Sequence, residues 1–231
     1  MVSGRDERPV ESDGWRLELV VAVQSAVATH VPQDGREARA QARITAGLGR
    51  LDRPFDELAS PEHVTASAVV VGPRGTVLHL HKRLHRWLQP GGHLDPGEGP
   101  WDGALRESRE ETGLELAHPG GGPRLIHVDV HGAAKGHTHL DLRYLLLAAD
   151  RDPSPPPGES PVARWFGWPE ATALADVALT GALRAARLQP EAQAGRGPAG
   201  GESDRPSSSG AVGGRRTPRH NGGGGARVNG G

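Results

Sequence analysis

Residues 91–116 read GGHLDPGEGPWDGALRESREETGLEL, and this stretch limits the possible folds more than any other. A Pro–Gly turn leads into a segment with Pro100 where a first helical turn tolerates proline and Gly113 where a helix stops. The spacing predicts a helix from about Trp101 to Thr112. At roughly 100° per residue, Glu107, Glu110 and Glu111 fall within one arc of about 100°. Three carboxylates on one face repel, and like charges at i, i+4 destabilise a helix. A divalent cation relieves that repulsion, and carboxylate oxygens with retained water are the ligands Mg²⁺ prefers. Glu98, in the preceding loop, is placed to fold back towards the same point. The backbone carbonyls of Gly91 and Gly92 would supply further oxygen, because only small residues let a backbone come so close to an ion. Arg106 stands beside the acids and suits a two-pronged grip on a carboxylate. It is expected to orient Glu98 or a neighbouring Glu rather than to touch substrate. Ala104, Leu105 and Leu114 are expected to face a sheet. The competing reading is an ordinary solvated, charged helix face.

The flanking sequence supplies that sheet. HVTASAVVVG and TVLHLHK surround the turn PRG and read as a hairpin, while RLIHVDVHG, HTHLDLRYLLLA and VARWFGW read as further strands. PEATALAD and ALTGALRAARL read as closing helices. Strands, one central helix, more strands and closing helices predict an α/β sandwich. Period two puts His127, Asp129 and His131 on one face of their strand, and His139, Asp141 and Arg143 on one face of theirs. The opposite positions are apolar. The polar faces read either as the floor of a substrate cleft or as a solvent-facing sheet surface. His127, His131, His137 and His139 have zinc-ligand chemistry, without a spacing that fixes a geometry. Lys82, Arg83 and Arg86, just before the acidic segment, would contact phosphate oxygens or form a solvated loop. Trp87 would stack on a base or pack at a strand start.

Residues 1–60 read as a helical extension. Leu17, Val20, Val21 and Gln24 lie at i, i+3, i+4 and i+7, and REARAQARITAGLGRL reads as a second amphipathic helix. Both are expected to cover part of the domain at 61–188. Residues 189–231, rich in Gly, Pro and Arg, have no hydrophobic period and read as a disordered tail. The tail carries six Arg against Glu191, Glu202 and Asp204, a net +3, so residues 1–188 carry −4 of the overall −1. Neither value points to specific nucleic-acid binding. There is no cysteine, which excludes disulfides, thiolate zinc sites and cysteine nucleophiles. The longest apolar run, Leu17 to Ala28, is shorter than the ~20 residues of a membrane helix and lacks the basic flank of a signal peptide. The expectation is a cytoplasmic protein with no membrane partner; its oligomeric state is not readable.

The acidic segment resembles the signature of the Nudix hydrolases. That pattern runs Gly, five residues, Glu, seven residues, Arg-Glu, an apolar residue, any residue, Glu-Glu, any residue, Gly, an apolar residue. Here Gly92, Glu98, Arg106-Glu107, Glu110-Glu111 and Gly113 occupy all seven fixed positions, and Leu114 follows. At residue frequencies of roughly 5–15% each, the chance of such a match is on the order of 10⁻⁷ per start. Ser108 departs from the pattern, standing where the family usually has an apolar residue. RWLQPGGHLDPGE, HLDLRYLLLA and ARWF extend the likeness over roughly residues 60–188, to bacterial members that often carry an N-terminal helical extension.

The resemblance implies a Nudix-type α/β/α sandwich with a mixed sheet. It also implies Mg²⁺- or Mn²⁺-dependent hydrolysis of a diphosphate linking a nucleoside to another group, so a small nucleotide-type substrate is expected. Glu107, Glu110 and Glu111 would be metal ligands, supported by Glu98 and the Gly91 and Gly92 backbone, with Arg106 in the same machinery. Arg83, Arg86, His127, His139, Asp141 and Arg143 would contact substrate. The base is Glu107 or an acid in the loop between YLLLAAD and VARWF, where Glu159 ranks ahead of Asp150 and Asp152. A catalytically silent nucleotide-binding or sensor domain is the alternative, although such proteins usually lose signature acids. The isopentenyl diphosphate isomerase branch needs a cysteine that is missing here. An RNA-directed enzyme using the basic tail finds little support in a −4 domain.

Overall fold

In the computed structural model, residues 12–194 are described. Helices α1 (Ser12–Thr29) and α2 (Gly35–Arg50) come first, and Asp34 caps α2 by accepting the Arg36 and Glu37 amides. The strands are β1 (Glu62–Gly72), β2 (Gly75–Leu80), β3 (Trp87–Leu88), β4 (Gly91–Gly92), β5 (Leu116–Ala117), β6 (Leu125–Gly132), β7 (Thr138–Ala148) and β8 (Ala163–Phe166). Between β4 and β5 lies α3 (Pro100–Thr112), which begins on Pro100 itself. The chain closes with α4 (Trp168–Leu174), α5 (Val177–Arg187) and α6 (Pro190–Ala194).

The strands form one mixed sheet around β1. Parallel pairing with β7 runs from Glu62–Thr138 to Val71–Leu147. On its other edge β1 pairs antiparallel with β4 at Ala66–Gly92 and with β2 at Val70–Val77. β7 then pairs antiparallel with β6 and β5, and β2 with β3 and β8. The two-residue strands β3, β4 and β5 are too short to leave a periodic signal.

Alternation along β1 and β7 divides the core. Val64, Ala66, Ala68 and Val70, with Leu140, Leu142, Tyr144 and Leu146, pack under α1, α2 and α3. Val69, Val71 and Leu145 point the other way, against Phe166, Trp168, Leu179 and Leu183 of the closing elements. The first halves of these latter faces are polar: His63, Thr65 and Ser67 on β1, and His139, Asp141 and Arg143 on β7.

Two expectations change. In α1 the buried residues are Val23 and Val27, whereas Leu17 and Val21 are 66% and 55% exposed. Apolar residues surround this helix almost completely, so periodicity did not choose its face; docking on α2 did. The ordered chain also passes the expected boundary at 188. Ala192 on α6 joins the second core, and Arg124 Nη1 donates to Gln189 Oε1 (3.0 Å) and Glu191 Oε2 (2.9 Å). The remaining tail residues, 195–231, and residues 1–11 lie outside the described residues. Among the described residues no helix is long and apolar enough to cross a membrane.

Candidate active site

Helix α3 presents the acids at one end of the sheet because its other face is held in the core. Ala104 and Ser108 are fully buried, Leu114 nearly so, and Leu105 packs against the same cluster. Gly113 ends the helix at φ 66°, a conformation glycine adopts without strain. The helix direction then fixes where Glu107, Glu110 and Glu111 project.

Arg106 is the hub. Its Nε donates to Glu98 Oε1 (2.9 Å) and its Nη2 to Glu98 Oε2 (2.8 Å), a two-pronged grip. Its Nη1 donates to Glu107 Oε1 (2.8 Å) and Glu110 Oε2 (3.1 Å). Nη2 also donates to the His93 carbonyl at 2.9 Å. All five N–H positions of the fork are thus engaged within the cluster. Glu111 lies apart from Arg106, and its Oε2 accepts the Gly91 amide at 2.9 Å. Gly91 therefore meets the cluster through its N–H. At Gly92 a Cβ would stand 2.6 Å from the Glu107 carboxyl carbon, so glycine is what allows this approach.

The electrostatics follow the geometry. Burial pushes Glu111 up to about 8; the Gly91 amide opposes this, and the charges of Glu107, Glu159 and Glu110 add to it. Glu107 is also raised, mainly by burial. Burial would raise Glu98 too, but the Arg106 guanidinium and the Asp95 amide outweigh it and hold the acid below its usual range. One guanidinium cannot neutralise four carboxylates. Two raised acids beside two others form a donor set that fits a hard dication, with carboxylate oxygens converging from a helix and a loop.

β4 and His93 join this cluster to a cavity of about 550 Å³, whose lining includes Thr65, Ser67, His79, His93, His139 and Asp141. His79 Nδ1 is 3.5 Å from Glu111 Oε1, and burial, with the neighbouring His81, lowers its pKa to about 4. Arg83 lines the cavity, whereas Arg86 does not; its Nη2 donates to Asp176 Oδ2 at 3.1 Å. Trp87 packs edge-on against Phe166.

The polar strand faces are neither a plain cleft floor nor a solvated surface. His139 and Asp141 reach the cavity, but Arg143 and His127 are each 3% exposed and take no part in its lining. Arg143 donates to Asp141 Oδ2 (2.8 Å), Asp129 Oδ2 (3.2 Å) and the Ala178 carbonyl (2.9 Å). It is a buried tie between β6, β7 and α5, and helix α5 covers it away from the cavity. Glycine at 181 leaves room for His127, which also lies 3.9 Å from Glu37. Of the loop acids, Asp150 and Asp152 pair with Arg74, leaving Glu159 as the one that raises Glu111.

Sequence reasoning passed over His63, Thr65, Ser67, His79 and His93. The period-two pattern of HVTAS was a readable signal for the first three. Nothing in the sequence places His79 or His93 beside them.

A family model for the NUDIX domain matches residues 61–187. The bis(5'-nucleosyl)-tetraphosphatase [asymmetrical] of Mus musculus is 59% identical over 41 residues, 18% of this chain and 28% of that protein. The match thus spans little more than a quarter of the mouse protein's length. The Caenorhabditis elegans protein of the same name is 31% identical over 103 residues, 43% of this chain and 71% of that protein. A crystal structure of a NUDIX-family hydrolase from Clostridium perfringens is 28% identical, covering 55% of this chain and 97% of that one, with a TM-score of 0.47. With its family match covering more than half its length, the chain belongs to the NUDIX domain family.

Proposed function

We propose that the protein hydrolyses a diphosphate bond in a nucleoside diphosphate linked to another group, using Mg²⁺ or Mn²⁺. The observation that carries this reading is the Arg106 hub, which gathers Glu98, Glu107 and Glu110 beside a half-buried Glu111, next to the Gly91, Gly92 and His93 rim of a cavity. Glu107, Glu110 and Glu111, with Glu98 in support, would hold the cation. When bound, it neutralises phosphate oxygens and lowers the pKa of a coordinated water. Arg106 fixes three carboxylates in one geometry, so little reorganisation is left for the reaction. The Gly91 amide orients Glu111. Glu107 or Glu159 would accept the proton of the attacking water. Arg83, His139 and Asp141 stand where the non-reacting part of the substrate would lie.

Dinucleoside tetraphosphates head the substrate proposals, because the C. elegans relative bears that activity in its name. The test measures products from dinucleoside tetraphosphates, ADP-ribose and nucleoside triphosphates, with Mg²⁺ or Mn²⁺, for wild type, Glu110→Gln and Glu111→Gln. Metal-dependent turnover by wild type, and at least roughly hundred-fold less in the variants, is expected. Variants turning over at the wild-type rate would remove the metal assignment. No turnover, with nucleotides still raising the melting temperature, would favour a silent binding domain.

A further inference from the structure

A second constellation of ligating groups, outside the glutamate cluster, gathers at the strand ends of β1 and β7. The parallel register sets His63 on β1 directly beside His139 on β7, and antiparallel β6 brings His131 to the other side of His139. His93, just after β4, folds over the pair. One ligand nitrogen from each of His63, His93 and His139 lies within 4.8 Å of the others, and His93 Nε2 is 3.3 Å from His139 Nε2. Metal–nitrogen bonds of ~2.0–2.1 Å in a tetrahedron give an N–N edge of about 3.3–3.4 Å. One edge already has that length.

The tautomers point the same way. His63 is fully buried; its Nδ1 donates to the Ser60 carbonyl at 3.0 Å, and its Nε2 has no hydrogen-bond partner among the described residues. A buried nitrogen lone pair without a partner is costly and calls for an explanation. His93 Nδ1 lies 3.1 Å from Glu57 Oε2. A carboxylate at that distance favours a proton on Nδ1, which would leave the Nε2 lone pair for a metal, as carboxylates behind metal-bound histidines do. Nothing comparable orients these rings towards Mg²⁺, which selects oxygen. Imidazole selects zinc, copper, nickel and cobalt.

We propose that His63, His93 and His139 form a site for a late first-row transition-metal dication, of the Zn²⁺ type, distinct from the carboxylate cluster. His93 and His139 line the cavity, so a fourth position opens to it for water or a phosphate oxygen. The site does not depend on the proposed hydrolase activity.

The test is a Co²⁺ titration of the full chain, made without a polyhistidine tag and stripped with chelator. It is followed by visible absorption and by Zn²⁺ competition. One tightly bound equivalent with tetrahedral or five-coordinate bands is expected. Binding should weaken roughly ten-fold or more in His93→Gln and His139→Gln, and about ten-fold in Glu57→Gln. The bands should persist in Glu110→Gln. X-ray absorption of the Zn²⁺-loaded wild type, which needs no variant to fold, should show nitrogen neighbours of imidazole type at ~2.0–2.1 Å. Absent bands, bands surviving both histidine variants, bands lost only in Glu110→Gln, or a shell of oxygen alone would each overturn the proposal.

Discussion

Arg143→Met separates a structural role for this arginine from the substrate contact its strand position suggests. The guanidinium is 3% exposed and satisfies two buried carboxylates and the Ala178 carbonyl. Removing one partner of a buried ion pair typically costs ~3–5 kcal/mol, because a charge is left uncompensated. Here the loss is cushioned. Asp129 keeps Arg36 at 2.6 Å and His131 at 3.1 Å, and Asp141 keeps the Ser67 hydroxyl at 2.9 Å. The lower end, about 3 kcal/mol, is therefore expected. For a domain of this size it corresponds to a fall of roughly 6–12 °C in Tm. Urea unfolding followed by tryptophan fluorescence reads the first quantity and a thermal melt the second. Adding Asp141→Asn should recover about 1 kcal/mol by removing an orphaned charge. KM for any substrate turned over should stay within about two-fold below the melting range, since the group is out of the cavity. A loss under about 1 kcal/mol, together with a ten-fold rise in KM, would refute the reasoning and return Arg143 to the substrate.

Ser108→Ala should stabilise the protein by about 1 kcal/mol, as the fully buried hydroxyl oxygen has no hydrogen-bond partner among the described residues; a midpoint shift to lower urea would show a partner exists. Gly92→Ala should keep the fold but displace the Glu107 carboxylate that stands 2.6 Å from the new Cβ, lowering turnover roughly ten-fold or more; unchanged kinetics would mean that carboxylate has no role. Acidification should destabilise the protein below neutral pH. His79 and His127 are buried and held down to about 4, so the unfolded chain takes up protons below about 6.5 that the folded chain refuses. Their stabilising contribution is full above that pH and falls towards pH 4, by up to about 1.4 kcal/mol per unit for each. His131 and Glu111 work oppositely. Burial resists the charge of His131, but Asp129 raises it, so its contribution is kept in acid and lost as pH rises. Glu111, raised to about 8 by burial, adds stability as pH falls from there towards 4.5 and offsets part of the loss. Urea midpoints that stay level from pH 7 to pH 5 would contradict the dominance of the two buried imidazoles.

Local chemistry made much of this protein legible in one dimension. Helix α3 could be read because its start, stop and acidic arc lie within fifteen residues, and a helix fixes angular relations from spacing alone. The long strands could be read because alternation is also local. Arg106's grip on Glu98 belongs to the same class, since loop and helix are eight residues apart. What sequence did not contain was register. Period two states which residues share a face of one strand but not which strand lies beside it, nor at what offset. Tertiary pairing alone set His63 beside His139, Thr65 beside Asp141 and Ser67 beside Arg143. Tertiary packing of α5 then decided which part of that polar face met a cavity and which was sealed. Arg143 and His139, alike in sequence as alternate polar residues of one strand, became a buried tie and a cavity wall because a helix covers one and stops short of the other.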